Sequence, residues 1–357
     1  MTQTLTLKTK LHPTKEQMEW IKEGCFCYIQ TINSLVEEMV LNRKSTNKTS
    51  KHIEAPLNSA VKNQAIKDAK SVFKKVKESN YTIIPILKKP QIVWNNQNYE
   101  IYGDSLEVPF MINGKSTRVK IKADLTNRMF HQIAESKLGT LRITKKSNRW
   151  VAQISLTLPC EDIKRGQSMG IDLGLLVPAV ARTERSEVKF FGNGRQNKYI
   201  RRKYKSRRRK LGKLKKLSAI KKLNNKEQRY MDNQDHQVSR EIINFAKEKK
   251  VTTIKLECLE GIRNTTKISR KNKNNLHTWS FYRVAKYIEY KAKLEGISVE
   301  YVDPKYTSQK CPNCGKHHKA NGRNYKCKDC GFQLHRDLVG ATNILTAPVI
   351  DGNSQSA

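Results

Sequence analysis

No stretch of this 357-residue chain reaches the roughly 18 consecutive apolar residues that a membrane-spanning helix requires. A helical membrane protein is therefore not expected. Acidic residues are scarce: 32 Asp and Glu stand against 70 Lys and Arg, leaving a formal charge of +38. An excess of that size repels itself unless a polyanion neutralises it. Nucleic acid is the implied partner, because dense Lys and Arg are rewarded by counterion release from phosphates. An anionic membrane surface is the rival, but it usually needs an amphipathic helix with a bulky apolar face. The opening Met1-Thr2-Gln3-Thr4-Leu5-Thr6-Leu7 lacks the basic-then-apolar order of a secretory leader, so the chain is expected to stay in the cytoplasm. No fixed-period repeat is visible.

Eight cysteines are present, four of them in one cluster. Cys311-Pro-Asn-Cys314 is followed, twelve residues later, by Cys327-Lys-Asp-Cys330-Gly331. Two CxxC knuckles at this spacing supply four thiolates that can converge tetrahedrally on Zn²⁺. Four sulfurs leave no open coordination position, so the metal is expected to be structural, and His317 and His318 are read as exposed loop residues. Cys25, Cys27, Cys160 and Cys258 are scattered and read as small buried hydrophobes, with no disulfide expected.

Along the chain, Leu5–Leu11 alternates like a strand, and Thr14 with Gln17 three residues on forms a capping-box start. Ile21, Cys25, Tyr28, Ile32, Leu35 and Met39 then make one apolar helical stripe, and a second helix is expected over Leu57–Glu78. From Tyr81 to Pro159 the pattern is of strands, with an Asn113-Gly114 hairpin turn, a short helix within Leu125–Ser136 and a clean alternation through Trp150, Ala152, Ile154, Leu156 and Leu158. Residues 1–160 thus predict a β-barrel-like domain interrupted by a small helical insert.

The remainder predicts an α/β domain. Met169–Ile171 reads as a buried strand, with two more over Val177–Ala181 and Val188–Phe191. Arg195 to Lys226 holds 16 Lys and Arg and no acid, and its leucines at three-residue steps suggest a basic helical arm with an apolar seam. A helix over Val238–Lys249, a strand over Val251–Leu256, an Asn/Lys-rich loop that can act as a lid, a helix over Trp279–Leu294 and a strand over Val299–Val302 follow.

Three acids sit at the ends of these core elements. Asp172 ends the Met169–Ile171 strand, Glu257 ends Val251–Leu256, and Asp337 opens the apolar helix of Leu338, Val339, Ala341, Ile344 and Leu345. A carboxylate beside a dry core is poorly solvated unless a cation satisfies it. Three such groups can hold two Mg²⁺ ions, one to activate water and one to stabilise the leaving oxygen in phosphodiester cleavage. The same positions also suit a turn residue, a solvated strand end and a helix-start residue, and the pattern alone leaves both readings open.

Gly170-Ile171-Asp172-Leu173-Gly174, Lys255-Leu256-Glu257-Cys258-Leu259, Tyr306-Thr307-Ser308-Gln309-Lys310-Cys311-Pro312-Asn313-Cys314-Gly315 and Asp337-Leu-Val-Gly-Ala341-Thr-Asn343-Ile344 occur in the order found in TnpB proteins. His236-Gln-Val-Ser239 and Trp279-Ser-Phe also resemble that pattern. The chain therefore resembles the TnpB family, transposon-encoded RNA-guided nucleases related to the type V CRISPR effectors. The likeness is close over residues 165–346 and lies mainly in layout before them.

The resemblance implies a RuvC-like, ribonuclease H-like nuclease domain in two parts, 165–308 and 334–346. A zinc ribbon at 309–333 would separate them, with a tail at 347–357. It implies a wedge domain at 1–12 and 81–164, interrupted by a helical recognition domain at 13–80. Asp172, Glu257 and Asp337 match the family's Mg²⁺-holding trio. The implied partners are a noncoding guide RNA from the transposon end and target DNA, in a bacterial, nucleoid-associated setting. Two positions depart from the pattern: Cys258 stands where the family usually carries Asp or Asn, and His335 replaces an acid two residues before the third carboxylate.

Within the basic arm, Arg201, Arg202, Lys203, Arg207, Arg208 and Arg209 are the expected phosphate contacts, since so many cations without an acid need an external counter-charge. Tyr199, Tyr204 and Tyr230 suit base stacking and core packing equally. Two other functions fit a basic, zinc-bearing chain: an RNA-guided DNA binder or repressor that does not cut, and a guide-free transposon DNA-binding protein. The first should lack one of the three acids. The second needs a tight helix-turn-helix, whereas about 15 residues join the two N-terminal helices.

Overall fold

The computed structural model describes residues 2–79, 83–161, 165–223, 225–259 and 281–350. The expected Asn/Lys-rich lid and the start of the Trp279 helix fall outside the described residues. The chain divides into two compact units, Thr2–Pro159 and one beginning at Cys160.

In the first unit, β1 (Thr2–His12) leads through Pro13 into α1 (Lys15–Leu41). Thr14 and Gln17 form the capping box: the Thr14 hydroxyl accepts from the Gln17 N–H at 3.2 Å, and the Gln17 side-chain oxygen accepts from the Thr14 N–H at 3.1 Å. The predicted stripe of α1 is buried from Ile21 to Met39 and packs on α2 (Ser59–Glu78). The strands are β2 (Gln91–Trp94), β3 (Glu100–Tyr102), β4 (Ser105–Ile112), β5 (Lys115–Ala123), β6 (Lys137–Lys146) and β7 (Arg149–Pro159), with α3 (Asn127–Ala134) before β6. They form one curled antiparallel sheet in the order β2-β6-β7-β1-β5-β4-β3. β1 is long enough to pair with β7 over most of its length and then with β5 at Leu11 and His12, joining the two halves. Trp94 is fully buried, and its indole N–H donates to the Pro109 carbonyl at 3.2 Å.

The second unit carries a five-stranded sheet, ordered β10-β9-β8-β11-β12. β8 (Gln167–Asp172), β9 (Ala179–Thr183) and β10 (Val188–Phe191) run as an antiparallel meander. β11 (Val251–Glu257) and β12 (Ser298–Val302) add in parallel to β8. Parallel strands need crossovers, and these are supplied by α4 (Gly194–Lys213), α5 (Leu217–Leu223) and α6 (Lys226–Glu248) before β11, and by α7 (Phe281–Leu294) before β12. The cysteine-bearing hairpin of β13 (Asn324–Lys326) and β14 (Gln333–His335) precedes α8 (Arg336–Thr346). Beyond α8 the chain returns beside β12, where Ile350 N–H donates to the Tyr301 carbonyl at 2.9 Å.

Helix α8 packs directly on β8 and β9. Gly170 permits this: a Cβ there would lie 2.3 Å from the Ala341 carbonyl oxygen and 2.6 Å from the Leu345 nitrogen. Any larger residue would push the helix off the strand.

Two sequence expectations are corrected. The basic arm is two helices, not one seam: α4 ends at Lys213, Lys215 takes a left-handed φ of 52°, and Leu214 and Leu217 are exposed. α6 begins at Lys226, three turns before the expected Val238, because its first half is too polar to show a stripe.

Candidate active site

The central parallel pair brings two of the acids together. Ile171 and Leu256 are register partners on β8 and β11, so Asp172 and Glu257, each the next residue, end adjacent strands on one face of the sheet. The carboxyl ends of parallel strands are where open α/β sheets place their ligands. Asp337 lies in the first turn of α8, one helical turn before Gly340. A Cβ on Gly340 would come within 2.9 Å of the Asp172 Oδ2. The two close approaches at Gly170 and Gly340 thus seat α8 so that its first turn faces the end of β8.

Among the described residues no hydrogen bond reaches the Asp172 carboxylate. Burial, then the negative charge of Glu257 and then that of Asp337, push its pKa up to about 8, with Arg336 and Arg323 opposing. Burial also raises Glu257, against a hydrogen bond from the Thr307 hydroxyl. One oxygen from each of Asp172, Glu257 and Asp337 does not fall within 4.8 Å of the others. Asp337 is instead turned to Arg323, whose Nη1 donates to both of its oxygens, at 2.6 Å to Oδ1. The charges of Glu257 and Asp337 both act on Asp172, which has no hydrogen-bond donor among the described residues, and an oxygen set of this kind fits a hard divalent cation.

A consequence can be measured without metal. Asp172 has a higher pKa folded than unfolded, so its contribution to stability is full below about 4 and is lost as pH rises through about 8. In EDTA, wild-type protein is expected to lose stability relative to Asp172→Asn across that window, by on the order of 1.4 kcal/mol per pH unit at most. Added Mg²⁺ should flatten the difference. A difference independent of pH in EDTA would mean that Asp172 is freely solvated.

Three neighbours of the acids carried no sequence signal of their role. Arg323 lies in the turn between the knuckles and reaches Asp337 across the β13–β14 hairpin, which is further fixed by Arg336 N–H donating to the Arg323 carbonyl at 2.7 Å. Thr307 fixes Glu257. His335, a departure from the family pattern, is the N-cap of α8: its Nδ1 accepts from the Asp337 N–H at 3.3 Å. Cys258, the other departure, is partly exposed, and its N–H donates to the Val302 carbonyl at 2.9 Å. Of the remaining scattered cysteines, Cys25 and Cys160 are buried as expected, whereas Cys27 is only partly so.

Cys311, Cys314, Cys327 and Cys330 bring one sulfur each to within 4.8 Å of one another. Cys311 and Cys330 are 3.6 Å apart and Cys314 and Cys327 3.5 Å apart, spacings that suit a tetrahedral site with metal–sulfur bonds of about 2.3 Å. Hydrogen bonds from the Asn313 side chain and the Phe332 backbone pull Cys330 down to about 6, toward the thiolate that binds metal. His317 is exposed, as read from the sequence. His318 is not: its Nε2 bonds Asp329, between Cys327 and Cys330, and so braces the second knuckle.

The six arm residues divide. Arg202, Lys203, Arg207 and Arg209 are exposed. Arg208 pairs with Glu227 of α6 at 2.7 Å, and Arg201 is half-buried near Glu227 and Asp235. Neutralising the exposed four to Gln is therefore expected to weaken nucleic-acid binding and to reduce its log–log salt slope by up to about 0.9 per lost phosphate contact. Changing Arg201 or Arg208 should move the slope less. A slope unchanged by the fourfold variant would make the arm a solvated face. Tyr199 is exposed, and Tyr204 and Tyr230 are partly buried.

Comparison with known proteins agrees with this architecture. A family model described as "Cas12f1-like, TNB domain" matches residues 281–344. The CRISPR-associated endodeoxyribonuclease Cas12f1 of Sulfoacidibacillus thermotolerans is 29% identical over 225 residues, covering 58% of this chain and 52% of that protein. A TnpB-like protein of Methanocaldococcus jannaschii is 35% identical over 131 residues, covering 36% of this chain and 46% of that protein. The chain spans about half the length of these curated relatives. A solved Cas12f1–sgRNA–target DNA complex shares the fold, with a TM-score of 0.71 at 18% identity over 94% of this chain and 84% of that one. No described helix is long and apolar enough to cross a membrane. From the ordered motifs, the matched domain and these relatives, the chain belongs to the family that unites TnpB-like proteins with the type V, Cas12f-like effectors.

Proposed function

We infer that this chain is an RNA-guided DNA endonuclease. The observation that carries the reading is Asp172: a buried acid at the carboxyl end of β8, without a hydrogen-bond donor among the described residues and under the negative charge of Glu257 and Asp337. Such a group is unfavourable in a resting protein and favourable around Mg²⁺. The sheet of three antiparallel and two parallel additions, with α8 across it, supports a RuvC-like nuclease fold over 165–308 and 334–346. The four-cysteine hairpin supports a zinc ribbon at 309–333. The all-antiparallel sheet at 1–12 and 81–164 and the helices at 13–80 then serve as wedge and recognition domains, and 347–357 as the tail. Guide RNA and target DNA are the polyanions that neutralise +38, with base pairing reading the sequence and the protein reading the backbone and a short flanking motif. The setting is cytoplasmic, on an insertion sequence whose maintenance the cut supports.

In this reading Asp172, Glu257 and Asp337 would hold two Mg²⁺ ions, whose chemistry there would be to activate a water and to stabilise charge on the leaving oxygen. Thr307 keeps Glu257 in place. His335 caps α8 and orients its first turn, which carries Asp337. Arg323, which reaches Asp337, would offer a planar donor fork to a phosphate bound at the same spot.

The test purifies the full chain from its native host, sequences the RNA bound to it, and challenges the particle with a randomised-flank DNA library in Mg²⁺. Cutting of DNA complementary to the bound RNA is expected. Bound RNA without cutting would make it an RNA-guided binder, and absence of a defined RNA would make it a guide-free DNA-binding protein.

A further inference from the structure

Tyr306 is 55% exposed, yet its backbone sits at φ 61°, a conformation that L side chains rarely adopt. Several bonds hold it there. Gln309 and Lys310 N–H groups both donate to the Tyr306 carbonyl at 2.9 Å. The buried Asn343 of α8 donates to the carbonyls of Thr307 and Lys310 at 2.6 and 2.8 Å. Burial of the ring cannot be what favours this arrangement, since the ring faces outward. Backbone strain that the surroundings over-determine is a mark of functional positions.

The ring is not alone. It stacks on exposed His317, with centroids 4.6 Å apart and planes 15° from parallel. The β-bridge between Lys310 and His317 sets the two segments side by side, and the stacked pair can take a further flat group only on an outer face. Exposed lysines lie close to them along the chain: Lys305, Lys310, Lys316 and Lys319. Lys305 and Lys316 face carboxylates at 3.9 and 3.5 Å, but Lys310 and Lys319 have none within ion-pair distance among the described residues. An exposed π-surface on a lysine-rich segment suits a nucleobase with its phosphate. A duplex keeps its bases stacked inside and offers no free face, so the fitting ligand is an unpaired nucleotide. The next residue, Thr307, donates to Glu257. The platform therefore lies beside an acid of the candidate active site.

We propose that Tyr306 and His317 form a base-stacking platform that seats one unpaired nucleotide of a single strand next to Glu257. Its positioning role rests on the nuclease reading; its capture of a base does not. The test mixes the full chain, in EDTA, with single-stranded DNA carrying one 5-iodouracil, irradiates it and maps the cross-links by mass spectrometry. Cross-links to Tyr306 or His317 are expected. Tyr306→Ala should lower their yield about 5- to 100-fold, while Tyr306→Phe, which keeps the π-face, should restore it. Zinc content reports whether the alanine variant keeps its fold; if it does not, His317→Ala takes its place, with the same loss expected at Tyr306. Cross-links confined to other elements in the wild type, or a yield that the folded variant leaves unchanged, would overturn the platform. Absence of cutting with persistent cross-links would sink the nuclease reading alone. Cutting without cross-links at these rings would sink the platform alone.

Discussion

Asp172→Ala is expected to lower DNA cleavage by roughly 10³-fold or more while making the metal-free protein more stable, not less. The two effects follow from one arrangement. In the folded chain the charges of Glu257 and Asp337 both act on Asp172, which is buried without a hydrogen-bond donor among the described residues, so removing it relieves repulsion and desolvation together. A residue that merely ended a strand or closed a turn would show the reverse: modest loss of stability and full activity. Activity is read from the guided cleavage rate, and stability from urea unfolding in EDTA. Asp172→Asn serves as a second probe, because it keeps the volume and removes only the charge. It should match the alanine variant in activity. Binding of RNA should be unaltered in both, since the exposed cations of α4 lie outside the carboxylate set. Cleavage at the wild-type rate by either variant would remove Asp172 from the site and leave the nuclease reading without its carrying observation.

Much of this site was legible because its chemistry is local. An acid at the end of an apolar run is visible whether or not its partners are known, and Asp172 and Glu257 stand out in that way at the ends of β8 and β11, although only the family resemblance separates a metal-holding acid there from a turn residue or a solvated strand end. The start of α1 was equally local, since both members of its capping box lie within four residues. Arg323 was not legible. Its role exists only through Asp337, fourteen positions away across a hairpin, and no periodicity marks such a pair. Tyr306 is visible only as part of a motif, because neither exposure nor a left-handed backbone can be seen in a row of letters. The basic arm failed for a geometric reason. Leucines at three-residue steps drift back by about 60° per step around an α-helix, so four steps cannot hold one seam. The chain instead breaks at Leu214–Lys216, and only Leu223 at the end of α5 is buried. Four sulfurs complete a tetrahedral shell, so nothing in the spacing marks the role His318 has in holding Asp329 between two ligands.

Converting Cys311 and Cys327 together to Ser should remove nearly all zinc and unfold the hairpin that spans the two knuckles. The reason is how little else holds that module. Its buried core is Cys311, Tyr325, Cys327 and Val339, with only Ala320, Phe332 and Leu334 packed partly against it, and its two strands have three residues each. Two of the four buried groups are themselves the proposed ligands, so apolar burial offers no substitute when the metal goes. Structural zinc contributes on the order of 10 kcal/mol in isolated zinc-finger peptides, far above what a core of this size supplies. Elemental analysis should fall from one zinc per chain to almost none, and limited proteolysis should open new sites between 311 and 335. Cleavage should fall as well, because Arg323 is carried by this hairpin and would no longer be held at Asp337. The sign of the stability change separates the two sites: loss of the sulfur cluster destabilises, whereas loss of the Asp172 carboxylate stabilises the metal-free chain. His318→Ala, which removes a brace but no ligand, should leave zinc content intact. Full zinc content and unchanged proteolysis in the double serine variant would show that the four thiols pack without a metal.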